Sequence, residues 1–184
     1  DPALFDPITA QIVPRLMQSM AQGDDATLRE VIAFFEEDGF TITGPAQIAP
    51  SLTPPEGLYA GHLTDRDQAD ATRAAAITEA LGRVDVGQGC IVAQGLCLAT
   101  ETLSGTDAML ASLATIPDTL RPNPKQGRGL LYKAPKPTQD RRIDLPTIGP
   151  ATVQAAAQAG LGGIAWEAGH TLTLDLLQMQ QIAN

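Results

Sequence analysis

Helix-like and strand-like segments alternate along most of this sequence, and this alternation limits the folds that the chain can adopt. Residues 67–81 are rich in Ala and end before a glycine, as expected of a helix, and two short apolar runs follow at 90–93 and 96–100. Gln94-Gly95 separates these two runs, a spacing that predicts a β-hairpin. Because the strands of a hairpin are antiparallel, we expect an α/β fold whose mixed sheet is flanked by helices.

The same patterns place the other elements and a domain boundary. Helices are expected at residues 24–38, 105–116 and 150–159 and after Asp175, and strands at 40–43, 129–133, 163–167 and 171–174, the third of these buried. Residues 44–61 contain four prolines and are typical of a linker. We therefore expect the boundary there, with residues 1–50 as the remnant of an N-terminal domain and residues 51–184 as the C-terminal domain.

Composition excludes several classes of protein. The 184 residues are 43% hydrophobic, but no apolar run approaches the ~18 residues that a membrane-spanning helix requires. A net charge of −9 argues against nonspecific binding of nucleic acid. Cys90 and Cys97 lie in alternating apolar sequence with no histidine nearby to complete a metal site, so we expect reduced thiols in the core. The chain begins at Asp1 without a signal-like segment, and we expect a processed or truncated cytoplasmic protein.

The negative net charge conceals one cationic segment. Seven basic residues lie between positions 121 and 142: Arg121, Lys125, Arg128, Lys133, Lys136, Arg141 and Arg142. With one acidic residue, Asp140, this segment has a net charge of +6, whereas the rest of the chain carries five basic and twenty acidic residues, a net charge of −15. Such a strip is either a solvated loop or a site for a phosphorylated ligand, because clustered Lys and Arg lower the cost of gathering phosphate charge.

Residues 133–150 combine these cations with carboxylates. Four prolines stiffen the segment, in which Lys133, Lys136 and Arg142 are interspersed with Asp140 and Asp144. Hydrolysis of a pyrophosphate needs Mg²⁺ to withdraw charge, carboxylates to hold the ion and orient water, and cations to stabilise the departing phosphate. The loop therefore suits phosphoryl chemistry, with the two aspartates as candidate catalytic residues and the three cations as candidate substrate-binding residues.

The spacing of the two aspartates limits how they could act together. If the segment between them is extended at about 3.3 Å per residue, they stand roughly 13 Å apart, too far to chelate one ion. They would need either a turn between them or outside partners. Because the residue before Pro146 is biased toward an extended conformation, we expect outside partners for Asp144, and Glu101 at a strand end and Asp107 at a helix start complete the candidate metal set. Gly105 and Thr106 are candidates to present N–H groups to phosphate. Each acid also has a structural alternative: a helix cap for Asp107, a surface position for Glu101 and a loop-ordering Asx turn for Asp144.

Four motifs, taken in order, resemble one known family. They are Asp85-Val86-Gly87-Gln88-Gly89, then Ser104-Gly105-Thr106-Asp107-Ala108-Met109-Leu110, then Lys136-Pro137 through Gln139-Asp140 to Asp144-Leu145-Pro146-Thr147-Ile148-Gly149-Pro150, and finally Ala159-Gly160-Leu161 with Glu167-Ala168-Gly169. Together they are similar, over nearly the whole chain, to the LpxI-type UDP-2,3-diacylglucosamine pyrophosphatases of lipid A biosynthesis. Two positions depart from the pattern: Ser104 stands where we expect Glu, and Thr138 where Gly is common.

The resemblance implies a two-domain hydrolase. Its N-terminal domain is Rossmann-like, and residues 1–50 would be the remnant of it, whereas residues 51–184 would be the catalytic domain. The family's reaction is the Mg²⁺-dependent attack of water on the pyrophosphate, which gives UMP and 2,3-diacylglucosamine 1-phosphate, and Asp144 takes the position of its catalytic aspartate. The diacyl substrate implies work at the cytoplasmic face of the inner membrane, through an apolar groove that could also drive formation of a homo-oligomer.

Two other classes of function are compatible with the same residues. The basic segment could hold a nucleotide sugar or a lipid phosphate without catalysis, or the domain could be a scaffold whose function lies in sequence outside this chain. A fragment that lacks part of its N-terminal domain could also be inactive. Dependence of UMP release on Mg²⁺ and on Asp144 separates the enzyme from the binding module.

Overall fold

The computed structural model describes residues 5–184, apart from the side chains of residues 24 and 118, and its first elements are helical. Helix α1 (Pro7–Met20) begins after Asp6, whose carboxylate accepts hydrogen bonds from N–H groups of the first turn at 2.9 and 3.0 Å. Helix α2 (Asp24–Glu37) confirms the helix predicted in that region. Arg15 of α1 donates to both carboxylate oxygens of Glu37, at 2.7 and 2.8 Å, so a bidentate ion pair joins the two helices.

The strand predicted at residues 40–43 is wrong. Within residues 5–184 this segment pairs with no strand, and a short helix, α3 (Pro45–Ile48), follows it. An apolar run becomes a strand only when a neighbouring strand satisfies its main-chain groups, and the described sheet lies elsewhere.

The main sheet confirms the predicted mixed α/β architecture. Within residues 5–184 its four strands are β1 (Gly89–Ala93), β2 (Leu96–Thr100), β3 (Leu130–Lys133) and β5 (Gly163–Trp166). They lie in the order β2-β1-β3-β5, where β1 is antiparallel to both of its neighbours and β3 is parallel to β5. The predicted hairpin joins β1 to β2 through Gln94 and Gly95, both at positive φ (54° and 78°), as a two-residue type I′ turn requires. The prediction of a buried strand at 163–167 is wrong in its burial, because β5 is a half-buried edge strand.

Helices cover both faces of this sheet. Helix α4 (Asp65–Gly82) packs on one face, and helices α5 (Gly105–Ser112) and α6 (Pro150–Gln158) cover the other. Successive side chains of a strand point to opposite faces, so β1 and β3 supply both cores. The α5 and α6 side contains Ile91, Met109, Leu110, Leu113, Leu131, Ala156 and Leu161. The α4 side contains Ala74, Cys90, Val92 and Leu130.

The C-terminal part adds a small parallel strand pair and a last helix. Strands β4 (Thr147–Ile148) and β6 (Leu172–Thr173) pair beside α6, and helix α7 (Leu176–Ala183) packs against that helix. Asp175 accepts a hydrogen bond from the N–H of Gln178 at 3.1 Å, which confirms it as the predicted cap of α7. None of the helices in the described part of the chain is both long and apolar enough to span a bilayer.

The register of the strands fixes where functional side chains can meet. Gly89 at the start of β1 pairs with Lys133 at the end of β3, and Lys133 pairs with Trp166 at the end of β5. Thr100 at the end of β2 lies opposite Cys90. The carboxyl ends of β2, β3 and β5 therefore share one edge of the sheet, where open α/β proteins commonly bind their ligands.

The two thiols differ in their surroundings. Both are unbridged, but Cys90 is buried under α4 whereas Cys97 is exposed on β2. The prediction of core thiols is therefore confirmed for Cys90 and wrong for Cys97.

Candidate active site

Lys133, Glu101 and Thr106 form a compact polar cluster at the carboxyl ends of β2 and β3. Lys133 Nζ donates to Glu101 Oε1 (3.0 Å), Glu101 Oε2 (2.9 Å) and Thr106 Oγ1 (2.7 Å). Thr106 Oγ1 in turn donates to Glu101 Oε1 at 2.8 Å. The lysine side chain is 5% exposed and the glutamate side chain 12% exposed, so this is a nearly buried ion pair. An ammonium group has three N–H donors, and these contacts use all three.

Lys133 and Glu101 are paired with each other in this cluster, which limits the roles that were predicted for them. Glu101 was a candidate metal ligand, but both of its oxygens are engaged by Lys133. Lys133 was a candidate for phosphate binding, but its charge is already compensated. Both roles stay predictions, and each would require the pair to open.

Asp144 lies half-buried in residues 133–150, the segment with four prolines that is called the proline-rich loop below, next to two amide side chains. Its Oδ2 accepts hydrogen bonds from Gln88 Nε2 (3.3 Å) and from Gln139 Nε2. Gln139 is 6% exposed, and its own Oε1 accepts the main-chain N–H of Lys136 at 2.9 Å. The partner of Asp144 from outside the loop is thus Gln88, which precedes β1. The sequence had instead suggested Glu101 and Asp107 for this role.

The loop between the two candidate aspartates is turned, so the extended geometry considered for it is wrong. The N–H groups of Ile143 and Asp144 both donate to the main-chain carbonyl of Asp140, at 3.2 and 3.3 Å. Asp140 Oδ1 also accepts the N–H of Arg142 at 2.9 Å. This Asx turn, which was considered for Asp144, therefore forms at Asp140.

Asp140 and Arg142 form a second ion pair, which extends to α2. The Arg142 guanidinium donates to both oxygens of Asp140, at 2.7 to 3.2 Å, and to Glu36 at 2.5 Å. The hydrogen bonds from Arg142 lower the pKa of Asp140 below its ordinary value, and the same contacts raise the pKa of Arg142. These contacts favour a loop-ordering role for Asp140, whose catalytic role stays a prediction, as does the substrate-binding role of Arg142.

Lys136 is the remaining candidate cation of the loop, and it is 6% exposed. Its Nζ lies 2.5 Å from Oδ1 of Asp85, a residue at positive φ (59°) whose side chain is 40% exposed. Asp85 begins the run that leads through Gln88 into β1. Asp85 and Gln88 both belong to the first of the four sequence motifs, but neither was assigned a role there.

Two glycines in this run allow its close approach to Glu101. A Cβ at Gly87 would lie 2.2 Å from the main-chain oxygen of Glu101, and a Cβ at Gly89 would lie 3.0 Å from its carboxylate and from the Lys133 side chain. Alternating glycines before a strand are a signal of such an approach, and they could have directed attention to Gln88 between them.

The other predicted residues lie at the start of α5. Gly105, at φ 83°, and Thr106 occupy its first positions, and Asp107 is exposed in its first turn. Among the described side chains of residues 5–184, which leave out those at positions 24 and 118, no three His, Cys, Asp or Glu stand together in a way that could hold a metal ion. The structure thus does not gather Asp144, Asp107 and Glu101 into one cluster, and their roles as ligands stay predictions.

Among the described side chains, four of the seven cations in the segment 121–142 form ion pairs with acidic side chains, most of which come from other parts of the fold. Ion pairs join Lys133 to Glu101, Lys136 to Asp85, Arg141 to Glu167 and Arg142 to Glu36 and Asp140. The net charge of +6 that this segment has in the sequence therefore does not produce a continuous positive surface.

Comparison with known proteins identifies the family. The model of the LpxI C-terminal domain matches residues 55–184, and that of the LpxI N-terminal domain matches residues 2–52. The chain belongs to the LpxI family. One curated relative is the UDP-2,3-diacylglucosamine pyrophosphatase LpxI of Caulobacter vibrioides, which is 43% identical over 167 residues. That match covers 90% of this chain and 59% of the relative, so the chain spans about three fifths of the LpxI protein it matches. The family resemblance read from the sequence motifs is confirmed.

Proposed function

We propose that the natural full-length protein containing this chain hydrolyses the pyrophosphate of UDP-2,3-diacylglucosamine to UMP and 2,3-diacylglucosamine 1-phosphate. The identity of 43% to the Caulobacter vibrioides relative, whose name states this substrate and bond, supports the proposal. The observation that carries it is the setting of Asp144, which two amide donors hold beside the carboxyl edge of the sheet; the motif resemblance implies the family's catalytic aspartate at this position.

The contacts of Asp144 suit a residue that handles water. Oδ2 is occupied by the two glutamine amides, whereas Oδ1 accepts no hydrogen bond from any residue between 5 and 184. An oxygen without a protein donor is available to a water molecule or a cation. We propose that Oδ1 of Asp144 accepts a hydrogen bond from the attacking water and takes its proton as the new P–O bond forms. The bridging P–O bond of the pyrophosphate breaks in the same step, and its electron pair leaves on the departing phosphate.

We further propose that Mg²⁺ assists the reaction. Mg²⁺ is commonly held by one or two carboxylates together with the substrate's phosphates and several waters, so a site with Asp144 and no cluster of three acids suits an ion that arrives with the diphosphate. Asp144 would hold the ion, and Asp107 and Glu101 are the further candidates. The ion would supply charge withdrawal from the pyrophosphate oxygens.

The cations and the α5 N-terminus are proposed to receive the diphosphate. Lys136 is one candidate, because Asp85, one of its partners, has a partly exposed side chain that a phosphate can displace. Lys133 and Arg142 would contribute if their own ion pairs opened. Thr106 would present its main-chain N–H group, whereas Gly105 would do so only on leaving the carbonyl of Thr102, to which its N–H donates at 2.9 Å.

We propose that the protein works at the cytoplasmic face of the inner membrane, in peripheral contact with it. The substrate carries two acyl chains, and α1 presents Met17 and Met20, which are three residues apart on one side of the helix and each more than 60% exposed. Such a face suits contact with acyl chains or with a second copy of the chain.

The deciding experiment measures UMP release from UDP-2,3-diacylglucosamine by the full-length protein, with and without Mg²⁺. The Asp144→Ala variant is expected to lose at least about 100-fold in kcat. The control Asp65→Ala removes an exposed acid from α4 and is expected to keep wild-type activity. If the protein binds the substrate but releases no UMP, the noncatalytic binding module is the correct function.

A further inference from the structure

Gln139 has a fixed orientation that determines which of its atoms faces Asp144. The main-chain N–H of Lys136 donates to Gln139 Oε1 at 2.9 Å, and only the oxygen of an amide side chain can accept it. The amide NH₂ is therefore directed to the other side, where it donates to Asp144 Oδ2. Flipping the amide would break both hydrogen bonds, and at 6% exposure Gln139 has little access to water to replace them.

The same oxygen of Asp144 receives a second donor from a different part of the chain. Gln88 Nε2 lies 3.3 Å from Asp144 Oδ2, and the main-chain carbonyl of Gln88 accepts the N–H of Ala134 at 2.9 Å. One amide thus belongs to the proline-rich loop and the other to the segment that enters β1. Together the two amides fix the rotation of the Asp144 carboxylate about its Cβ–Cγ bond.

We infer that Gln139, assisted by Gln88, is a positioning residue for the hydrolysis. The two amides occupy Oδ2, so that Oδ1 alone is presented for water or cation. This inference depends on the catalytic role proposed for Asp144. It assigns a function to two uncharged residues that do not touch the reacting atoms.

A pair of substitutions at Gln139 separates positioning of Asp144 from support of the loop. Gln139→Met removes both the acceptor and the donor. Gln139→Glu keeps an acceptor for the Lys136 N–H but replaces the donor by an oxygen facing the aspartate. We expect kcat to fall about 10- to 100-fold in both variants, the range found when residues that orient an active group are removed, with KM within about 3-fold of wild type. The matched control is Gln158→Glu, because Gln158 is an exposed glutamine on α6.

Three kinetic outcomes decide the matter. Loss of kcat in both variants supports positioning. Wild-type kcat in Gln139→Glu, with loss confined to Gln139→Met, overturns it, because support of the loop through the acceptor would then be sufficient. An equal rise of KM in both variants with unchanged kcat also overturns it. An inactive wild-type protein would refute the proposed function instead, and a fully active Asp144→Ala would refute the role of Asp144.

A measurement without turnover tests the contact itself. In ¹H–¹⁵N spectra of the full-length protein, Asp144→Ala is expected to shift the side-chain amide signals of Gln88 and Gln139 and to leave that of Gln158 unchanged. Unshifted signals from Gln139 would overturn the inference whatever the activity.

Discussion

The buried pair of Lys133 and Glu101 makes a stability prediction that can be worked out from its geometry. At 2.9 Å and an effective dielectric constant near 20, the attraction between the two charges is about 6 kcal/mol. Desolvation of two nearly buried ions offsets most of this, since it costs several kcal/mol per ion. The net contribution of the pair is therefore small, whereas either ion left alone keeps its desolvation cost and loses its partner.

We accordingly expect Lys133→Met and Glu101→Leu each to lower the free energy of unfolding by about 3 to 5 kcal/mol. The double variant is expected to lie within about 2 kcal/mol of wild type, because an apolar pair of similar volume replaces the two charges. Urea unfolding at neutral pH measures this, with fluorescence of Trp166, the single tryptophan, which pairs with Lys133 in the sheet.

An exposed ion pair provides the matched control. Arg83, the residue that follows α4, and Glu79 of α4 stand 2.5 Å apart, and both side chains are more than half exposed. Arg83→Met should lower stability by less than about 1 kcal/mol, because water screens this pair. The reasoning is refuted if the buried single variants cost no more than this control, or if the costs of the two single variants simply add in the double variant.

Three further predictions concern the neighbouring residues. Asp140→Asn should lower stability by about 1 to 2 kcal/mol at pH 7. Because the pKa of Asp140 is lowered in the folded protein, its stabilisation is present above the ordinary value of 3.8 and is lost as the pH falls from there through the lower folded-state pKa. Urea unfolding at pH 7 and pH ~3 should therefore find a smaller gap at the lower pH; a constant gap would contradict this. Gly87→Ala would place a Cβ 2.2 Å from a main-chain carbonyl and should lower the unfolding midpoint, at a cost of about 1 to 3 kcal/mol, whereas Gly163→Ala, which meets nothing within 4 Å, should be nearly neutral; equal midpoints would refute the close approach. A thiol reagent at neutral pH should titrate Cys97 in the native protein and Cys90 only after unfolding, because burial both shields Cys90 and raises its pKa to about 11; rapid reaction of both thiols would show that the core is open.

The elements that could be predicted from sequence are those specified by local chemistry. The turn at Gln94-Gly95 needs two residues at positive φ, and Asp175 caps α7 through a contact three residues away, so both signals lie next to the structure that they determine. The segment at 40–43 has the pattern of a strand, but pairing depends on a distant partner that the pattern does not contain.

The candidate site was only partly predictable for a related reason. Asp144 could be identified from its motif, but one of its partners, Gln88, lies 56 residues away and carries no charge that would single it out. The turn at Asp140 arises from its contacts with Arg142, whereas the bias that Pro146 imposes on the residue before it favoured an extended segment over a turn. Net charge along the sequence likewise could not reveal that Lys133 and Lys136 have acidic partners from other elements.

Arg142 links α2 to the loop that carries Asp144. Its guanidinium binds Glu36 of α2 and Asp140 at once, and its main chain lies so near Gly44 that a Cβ there would approach its Cα to 2.8 Å. Displacement of α2 away from the loop would have to break the contact with Glu36 only two positions before the proposed catalytic aspartate. The Arg142 side chain is therefore one of the contacts that join the segment matched by the N-terminal family model to the loop that carries Asp144.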